Sequence, residues 1–584
     1  MSITSINPSE FFMLQMSQHR KDLSFCHCDA TSLRQWINQL PAIQLGDTSK
    51  LLLNAVIEIA ELDCDELLRF ELIQTLHLSI EQILGILEKH FLDKLYSISS
   101  HNTHTIELAQ QFRCYLINIY FNISFKLDKQ LQAAKFSLFT FTQKKNRQRT
   151  RTYSCYYALE QLGRLRYQQV VLYKNALVGQ WRIGHQLFKL AEENQFHLQT
   201  IEHLNPTLPS LKHIYYAYSQ LCLIDILSPQ QIRPIEIDAL YQCTFQWVKL
   251  IQISKHGHLD ARYMVYSEND FPPVWNNIHS KITEHVFFID TQALLEHINL
   301  THLPNNHYIS AIERHYLTPS LIFHIQHLLN NMPERRYERY DFNSSIQLTF
   351  GLQSAHFYLS HGTAFNETLY LNSKIGVQKN SKALSTWNSE VKMKHHSYQT
   401  LDPETKQIYN CNILDISVNG YRMCWDSVPP KQLRAGEFIL VQENEKTPWR
   451  GGTIRWLKQE NENRFEFGVE ILSQEITPCA VQLSADQDST LYHPALILKN
   501  EVLNLPHLSI IVLGSQTFKS QQGILLRLGK KQIKIYLTET KLVSQSFTQF
   551  NFELLNGDEQ VLLDQFIQNH AETMKKQDLW ESLK

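Results

Sequence analysis

Apolar side chains recur at every third or fourth position through the first half of the chain, between about residues 48 and 255. This spacing places them on one face of an α-helix, so the pattern predicts a series of amphipathic helices. We expect about eight to ten helices, packed as a bundle or as a solenoid, because no repeat length stands out that would decide between the two. One clear stripe comprises Leu68, Leu72, Leu76, Ile80, Ile83 and Leu87.

The helical pattern is interrupted between residues 256 and 332. Short β-like runs at 261–266 and 286–290 lie on either side of Pro272 and Pro273, and they predict a small strand element. Helical spacing then returns over 293–300 and 307–330. The asparagines at 330 and 331 and the proline at 333 predict a helix end and a domain boundary.

Beyond residue 340 apolar and polar residues alternate, as in Ile346, Leu348 and Phe350, which predicts an antiparallel β-barrel or sandwich. We expect the barrel to end near residue 475 and a small β-rich accessory domain with a C-terminal helix to follow. Residues 360–408, rich in Asn, Ser, Lys and Thr, predict a long, partly mobile insertion. Turns are expected at Gly436, Gly451, Gly452 and Gly468.

The fold class predicted is therefore multidomain α plus β, with an N-terminal α-helical bundle or solenoid, an antiparallel β-barrel and a small β-rich C-terminal domain. The expected boundaries are 1–255 for the helical domain, 256–332 for the mixed segment and linker, 333–475 for the barrel with its insertion at 360–408, and 476–584 for the accessory domain.

Composition limits the function classes. Hydrophobic residues make up 43% and charged residues 19% of the chain, as in folded globular proteins. The 55 Lys and Arg nearly balance the 57 Asp and Glu, so any anion site must be local. The chain has neither a secretory leader pattern nor a run of roughly 20 apolar residues, and its ten cysteines are scattered. We expect a soluble, cytoplasmic protein with reduced thiols and no integral membrane segment.

Two polar motifs flank the first strand of the predicted barrel. An R-x-x-x-R pair precedes the strand, and a D-x-S-x-x-G pattern lies between alternating apolar residues beyond the insertion. A guanidinium group can donate paired hydrogen bonds to phosphate oxygens or guanine acceptors, and it can also stack on a purine. The candidate residues are Arg335, Arg336, Arg339, Asp415, Ser417 and Gly420.

The order of these motifs, followed by strand-like segments at 453–456 and 467–470, resembles the PilZ domain family, whose ligand is cyclic di-GMP. The resemblance implies that Arg335 and Arg339 contact phosphate and guanine, with Arg336 as an auxiliary. It also implies that Asp415 accepts from guanine N–H groups or orders an arginine, that Ser417 donates a hydrogen bond and that Gly420 permits a tight turn. The expected ligand is cyclic di-GMP, without a further cofactor.

The N-terminal region is similar to helical regions found upstream of PilZ domains in some gammaproteobacterial proteins. The residues that carry this similarity are 33–41 and the helices after them. We expect the helical domain to bind a protein partner whose identity the sequence does not give, and the nucleotide to control that interaction.

Two alternatives to a receptor remain open. The barrel could have lost its ligand and serve as an interaction scaffold. The basic tract at 144–151 could grip nucleic acid, although we interpret it as a solvated interhelical loop. We expect no enzyme, because common catalytic and phosphate-loop motifs are missing from the sequence. We also expect no metal site, because the near pairs His256/His258 and His395/His396 lack companion ligands.

Overall fold

The protein is described by a computed structural model. The structure describes residues 11–12, 17–41, 45–92, 100–133, 141–202, 211–255, 261–276, 285–301, 309–331, 338–373, 406–444, 447–461, 463–483, 492–502, 505–514 and 517–581. The chain divides into two compact units, of which the first comprises residues 1–229 and 234–333 and the second comprises 230–233 and 334–584.

The first unit is mainly α-helical. Its helices are α1 (Ala30–Asn38), α2 (Leu45–Glu61), α3 (Glu66–Leu92), α4 (Ser100–Ala133), α5 (Phe141–Val171), α6 (Gln180–Glu193), α7 (Ile214–Ile226), α8 (Pro234–Trp247), α9 (Gln292–Leu300), α10 (Ala311–Tyr316) and α11 (Pro319–Asn330). Helix α5 contacts α3, α4, α6, α7 and α8 and is buried along most of its length, so these helices form a bundle around it. The helical pattern of the first half of the chain is confirmed.

The basic tract at 144–151 lies inside α5, so our interpretation of it as an interhelical loop is wrong. The tract contains no Gly or Pro, and Lys, Arg and Gln have high helix propensity. Lys145 and Arg149 are exposed, whereas Arg151 is buried and its Nη1 donates to Asp128 Oδ1 at 2.5 Å. The loop was inferred from the density of charged residues, and the helix propensity of those residues was underestimated.

The predicted strand element is a four-stranded antiparallel sheet in the order β1-β4-β2-β3. Its strands are β1 (Gln252–Ser254), β2 (Tyr263–Tyr266), β3 (Val274–Trp275) and β4 (Val286–Asp290). The helical run predicted at 307–330 is two helices, because Thr318 caps a new helix that begins at Pro319. The last helix ends at Asn330 as predicted, and Pro333 lies outside the described residues.

The second unit contains two closed six-stranded barrels. The first barrel is formed by β5 (Tyr340–Phe350), β6 (Tyr409–Ser417), β7 (Gly420–Trp425), β8 (Phe438–Gln442), β9 (Arg450–Asn461) and β10 (Arg464–Ser473), in the order β10-β7-β6-β5-β8-β9. The second is formed by β11 (Glu475–Leu483), β12 (His493–Val502), β13 (Leu505–Leu513), β14 (Gln522–Leu528), β15 (Lys531–Val543) and β16 (Phe547–Leu554), in the order β11-β12-β13-β16-β15-β14.

The segment between β5 and β6 contains α12 (Leu352–Leu359) and α13 (Phe365–Ser373). Residues 365–373 are therefore helical and not the loop that their composition indicated, whereas 360–364 form the short connection before this helix. The predicted mobility of 374–405 falls outside the described residues. Helix α12 packs against β5 and β8 of the first barrel and against β11 and β12 of the second. One apolar cluster consequently contains buried side chains from both barrels and α12. The chain then continues into a C-terminal helix, α14 (Gln560–Glu581).

Only one of the four glycines expected at turns in the first barrel has a backbone that requires it. Gly436 precedes β8 with φ of 72°. Gly451, Gly452 and Gly468 instead lie within strands β9 and β10, where they were not expected. A Cβ at Gly468 would collide with the indole of Trp456, so close side-chain approach explains this glycine.

No helix in the described part of the chain is long and apolar enough to cross a membrane.

Candidate functional site

The two motifs meet at one corner of the first barrel. Arg339 immediately precedes β5, while Asp415 and Ser417 lie in the last residues of β6. Strands β5 and β6 are paired, with Asp341 opposite Asp415. A two-residue turn then leads to Gly420, the first residue of β7. The alternating pattern that forms the β5–β6 pair therefore brings together residues separated by the long insertion.

An ion pair joins the two motifs. Arg339 Nη1 donates to Asp415 Oδ1 at 3.0 Å. The side chain of Asp415 is 10% exposed, whereas that of Arg339 is 45% exposed. The carboxylate is thus held in the barrel wall, and the guanidinium keeps donors directed toward solvent. Arg335 and Arg336 lie outside the described residues.

Ser417 and Gly420 shape the hairpin beside this ion pair. Ser417 Oγ donates to the carbonyl oxygen of Gly420 at 3.3 Å, across the turn. Gly420 is not among the residues with positive φ. A Cβ at this position would instead meet the carbonyl oxygen of Val469 on the neighbouring strand β10. Close packing of two strands, rather than a tight turn, is therefore the reason for glycine here.

A further arginine at this corner was not predicted. Arg422 Nη1 donates to Asp415 Oδ2 at 3.4 Å, so Asp415 accepts from two arginines. Arg422 Nη2 and Nε donate to Glu466 Oε2 at 2.7 and 3.2 Å. The hydrogen bond to Glu466 is the main cause of the raised pKa of Arg422. Arg422 lies two residues after Gly420, so strand alternation could have identified it, whereas Glu466 is brought here by the pairing of β10 with β7.

An aromatic side chain lies in the same cross-strand row. Gly468 pairs with Arg422 on one side and with Trp456 on the other. The indole of Trp456 occupies the space that a side chain at position 468 would fill. The outer surface at this corner therefore carries charged groups of both signs, in the order Arg339, Asp415, Arg422 and Glu466, with an aromatic ring beside them.

This arrangement suits an anionic ligand that also has flat, polar rings. The side chains of Arg339 and Arg422 are 45% and 39% exposed, and their guanidinium groups can donate to phosphate oxygens. Guanidinium planes and an indole can also stack on a base. The described residues contain no group of three or more His, Cys, Asp or Glu side chains that could hold a metal ion.

Three family models match the chain in succession. They are described as "Cyclic-di-GMP receptor FimW, N-terminal domain", which matches residues 31–258, "Cyclic-di-GMP receptor FimW, middle PilZ domain", which matches 263–400 and 376–478, and "FimW C-terminal beta-barrel domain", which matches 479–555. The chain is thus a PilZ-domain protein, in agreement with the barrel and with the resemblance of its motifs. Because the three matches follow one another from residue 31 to residue 555, it belongs to the family that these models describe.

One curated relative supports this assignment over most of its length. The chain is 22% identical over 571 residues to "Cyclic-di-GMP receptor FimW" of Pseudomonas aeruginosa. The matched region covers 91% of this chain and 92% of the relative. No solved structure matches the chain. The family is a receptor family, which is non-enzymatic in kind.

Proposed function

We propose that this protein is a receptor for cyclic di-GMP and that the ligand binds at the corner of the first barrel where Arg339 meets Asp415. The observation that carries the proposal is the 3.0 Å hydrogen bond between these two groups, which joins motifs far apart in the sequence. The match to a PilZ domain and the similarity to a cyclic-di-GMP receptor of Pseudomonas aeruginosa support the choice of ligand.

The chemistry of cyclic di-GMP fits the groups at this corner. Its two phosphates require donors that stay charged at neutral pH, and arginine meets this requirement. Asp415 is an acceptor for the N–H groups of guanine, or a group that orients an arginine. The hydroxyl of Ser417 would donate to the ligand in place of its 3.3 Å hydrogen bond to the carbonyl oxygen of Gly420. We assign the same phosphate and guanine contacts to Arg335, with Arg336 as an auxiliary, on the family pattern alone.

Arg422 and Trp456 extend the proposed site. Glu466 accepts two hydrogen bonds from Arg422 and thereby restricts the orientation of its guanidinium plane. A side chain that is already oriented loses less conformational entropy when a ligand binds. We therefore include Arg422 as a phosphate or base contact and Trp456 as a stacking surface.

We further propose that the nucleotide controls a protein interaction of the helical region. The R-x-x-x-R motif begins two residues after Pro333, so half of the site lies on the stretch of chain that leads from the helices to the barrel. A ligand can shift a conformational equilibrium only through different affinities for its two states. Ordering of residues 335–339 by the ligand would supply that difference.

A receptor of this kind needs no cofactor and no catalytic group, and we propose a cytoplasmic location, where the second messenger is produced. A scaffold with an empty barrel is less well supported, because Arg339, Asp415, Ser417 and Gly420 are all present and adjacent. Nucleic-acid binding by the basic tract is also less well supported, because Arg151 is buried against Asp128 and is not available to a phosphate backbone.

Isothermal titration calorimetry of the full chain with cyclic di-GMP tests the proposal. We expect saturable binding of cyclic di-GMP. GTP and cyclic di-AMP should compete with it only weakly for the site, because neither carries two guanines on one cyclic dinucleotide. Failure to detect saturable binding of cyclic di-GMP would reject the receptor function and favour the scaffold.

A further inference from the structure

The two barrels of the second unit have the same strand order. In the first barrel, β5 lies between β6 and β8, and β10 closes the ring by pairing with both β7 and β9. Replacing each strand by the one six places later in the chain reproduces the second barrel. In it β11 lies between β12 and β14, and β16 pairs with both β13 and β15. Every one of these pairings is antiparallel in both barrels.

Local features of the strands agree with this correspondence. In both barrels the pairing of the second and third strands ends on residues three apart in the sequence, Ser417 opposite Gly420 in the first and Val502 opposite Leu505 in the second. The fifth strand is the longest in each barrel. In both cases its pairing with the sixth strand contains register shifts. A six-stranded barrel has many possible strand orders, so agreement in order, hairpin and irregularities indicates one common plan.

The hairpin also aligns the nucleotide motif with the second barrel. Val502 takes the place of Ser417, Leu505 takes that of Gly420 and Asn500, two residues before Val502, takes that of Asp415. The carboxylate, the hydroxyl and the glycine are therefore all replaced.

The segment that carries arginines in the first barrel has no counterpart in the second. Residues before β5 are available for the R-x-x-x-R motif because no barrel strand precedes them. The residues before β11 are already β10 of the first barrel, since Gln474 alone separates the two strands. The residues before β11 therefore cannot serve as an equivalent arginine-bearing segment, because they belong to the sheet of the first barrel.

The corresponding corner of the second barrel is used to join the barrels. Asn500 Nδ2 donates to the carbonyl oxygen of Leu472 on β10 at 2.8 Å. Ser473 Oγ lies 2.8 Å from the carbonyl oxygens of Lys499 and Glu475, and its single proton is donated to one of them or shared between them. Within the second barrel, Lys499 and Glu475 form an ion pair at 2.8 Å beside these contacts. The side chains of Ser473, Lys499 and Asn500 thus bond to other groups of the protein at this corner.

We infer that the C-terminal barrel is a second PilZ-type barrel that has lost the nucleotide site, and that its motif corner now fastens it to the first barrel. On the proposed receptor function, this gives each chain one nucleotide site, whether that site holds one ligand molecule or a stacked pair. The first barrel senses the nucleotide, and the second provides a fixed support that shares its core through the apolar cluster around α12.

Two double variants of the full chain test this inference with cyclic di-GMP as the probe. Arg339→Ala with Asp415→Ala removes the first corner, and Lys499→Ala with Asn500→Ala removes the equivalent corner. We expect the wild type to show one class of sites. The first variant should bind cyclic di-GMP at least about tenfold more weakly, because a lost hydrogen bond to a charged group costs that much binding free energy. It should also show no remaining class of saturable binding sites.

The second variant should bind cyclic di-GMP within about twofold of the wild type, because its substitutions lie outside the receptor site. Its amide hydrogens around 472–476 should exchange faster, since the joint has lost side-chain hydrogen bonds.

Saturable binding that survives in the first variant and disappears when the second pair of substitutions is added would establish a second site and overturn the inference. Unchanged amide exchange in the second variant would reject the role of this corner as a joint. If the wild type does not bind at all, the receptor function fails, and the exchange measurement still decides whether the joint exists.

Discussion

Asp415 accepts hydrogen bonds from Arg339 and Arg422, and both arginines are more than one-third exposed. Exposed ion pairs contribute little to stability, typically about 0–1 kcal/mol. The two arginines should therefore be replaceable without unfolding the barrel, so that binding and folding can be tested separately.

Replacing Arg339 by Ala should weaken cyclic di-GMP binding by at least about tenfold, because a hydrogen bond to a charged group contributes about 1.5–3 kcal/mol. Arg464→Ala is a matched control: Arg464 is also 45% exposed and pairs with Asp426, beyond the opposite end of β7. Calorimetric titration of both variants measures the effect. Equal affinities for the two variants would contradict the placement of the site.

Replacing Gly420 by Ala should destabilise the first barrel by about 2 kcal/mol, because the new methyl group would press against the carbonyl oxygen of Val469. Gly557→Ala is the control, since nothing lies within 4 Å of a Cβ at that position. The measurement is the urea midpoint of the transition assigned to the second unit by hydrogen exchange. A midpoint equal to that of the control would contradict the prediction, because it would show that β7 and β10 can move apart without a loss in the free energy of unfolding.

Among the elements of the second unit, α12 lies between the barrels and carries a buried histidine. Burial is the main cause that lowers the pKa of His356 to about 4. His356 Nδ1 lies 3.3 Å from Ser360 Oγ, and the nearby His570 also disfavours its protonation. Helix α12 is therefore stable with this residue neutral, and the shared core of the two barrels should respond to acid.

The sign of this response follows from the direction of the shift. Because the folded pKa lies below the ordinary value of about 6.5, the unfolded state binds the proton first. The contribution of neutral His356 to the free energy of unfolding is fully present above about pH 6.5, and it is lost as the pH falls toward 4. One such group should cost the second unit about 2 kcal/mol between pH 7 and pH 5.

Denaturant unfolding at these two pH values, followed by hydrogen exchange in α12, measures the loss. His356→Gln should reduce the pH dependence, because glutamine does not titrate. His361→Asn, at an exposed position just after α12, should leave the dependence as it is in the wild type. The same pH dependence in the His356 variant would mean that another group controls acid stability.

At the scale of the whole molecule, the proposed nucleotide site lies in sequence at the start of the second unit, directly after the residues of the helical unit. If cyclic di-GMP orders the residues before Arg339, the ligand should change the distribution of conformations of the chain. Small-angle X-ray scattering profiles recorded with and without saturating ligand should then differ. The Arg339→Ala/Asp415→Ala variant should give the same profile under both conditions.

Superimposable profiles for the wild type, together with calorimetric evidence of binding, would reject this coupling while leaving the receptor function intact. A change in the variant as well would mean that the nucleotide acts at a place other than this corner.

The local pattern of the sequence determined much of this protein. Apolar periodicity identified the helical region, the strand element and both β-rich regions, because amphipathic helices and strands each impose their own spacing. The two motifs, taken in order, identified the first barrel as a PilZ domain. Alternation along β7 also contained the signal for Arg422, which was overlooked.

Tertiary structure alone decided the features that depend on strand pairing. Pairing of β10 with β7 brings Glu466 to Arg422, and packing of β10 against β7 explains the glycine at 420. The strand order of the second barrel, and with it the correspondence between Asp415 and Asn500, arises from contacts between residues distant in sequence. Periodicity records which face of a strand is buried, but it does not record which strands are neighbours, and that choice depends on the packing of the complete barrel.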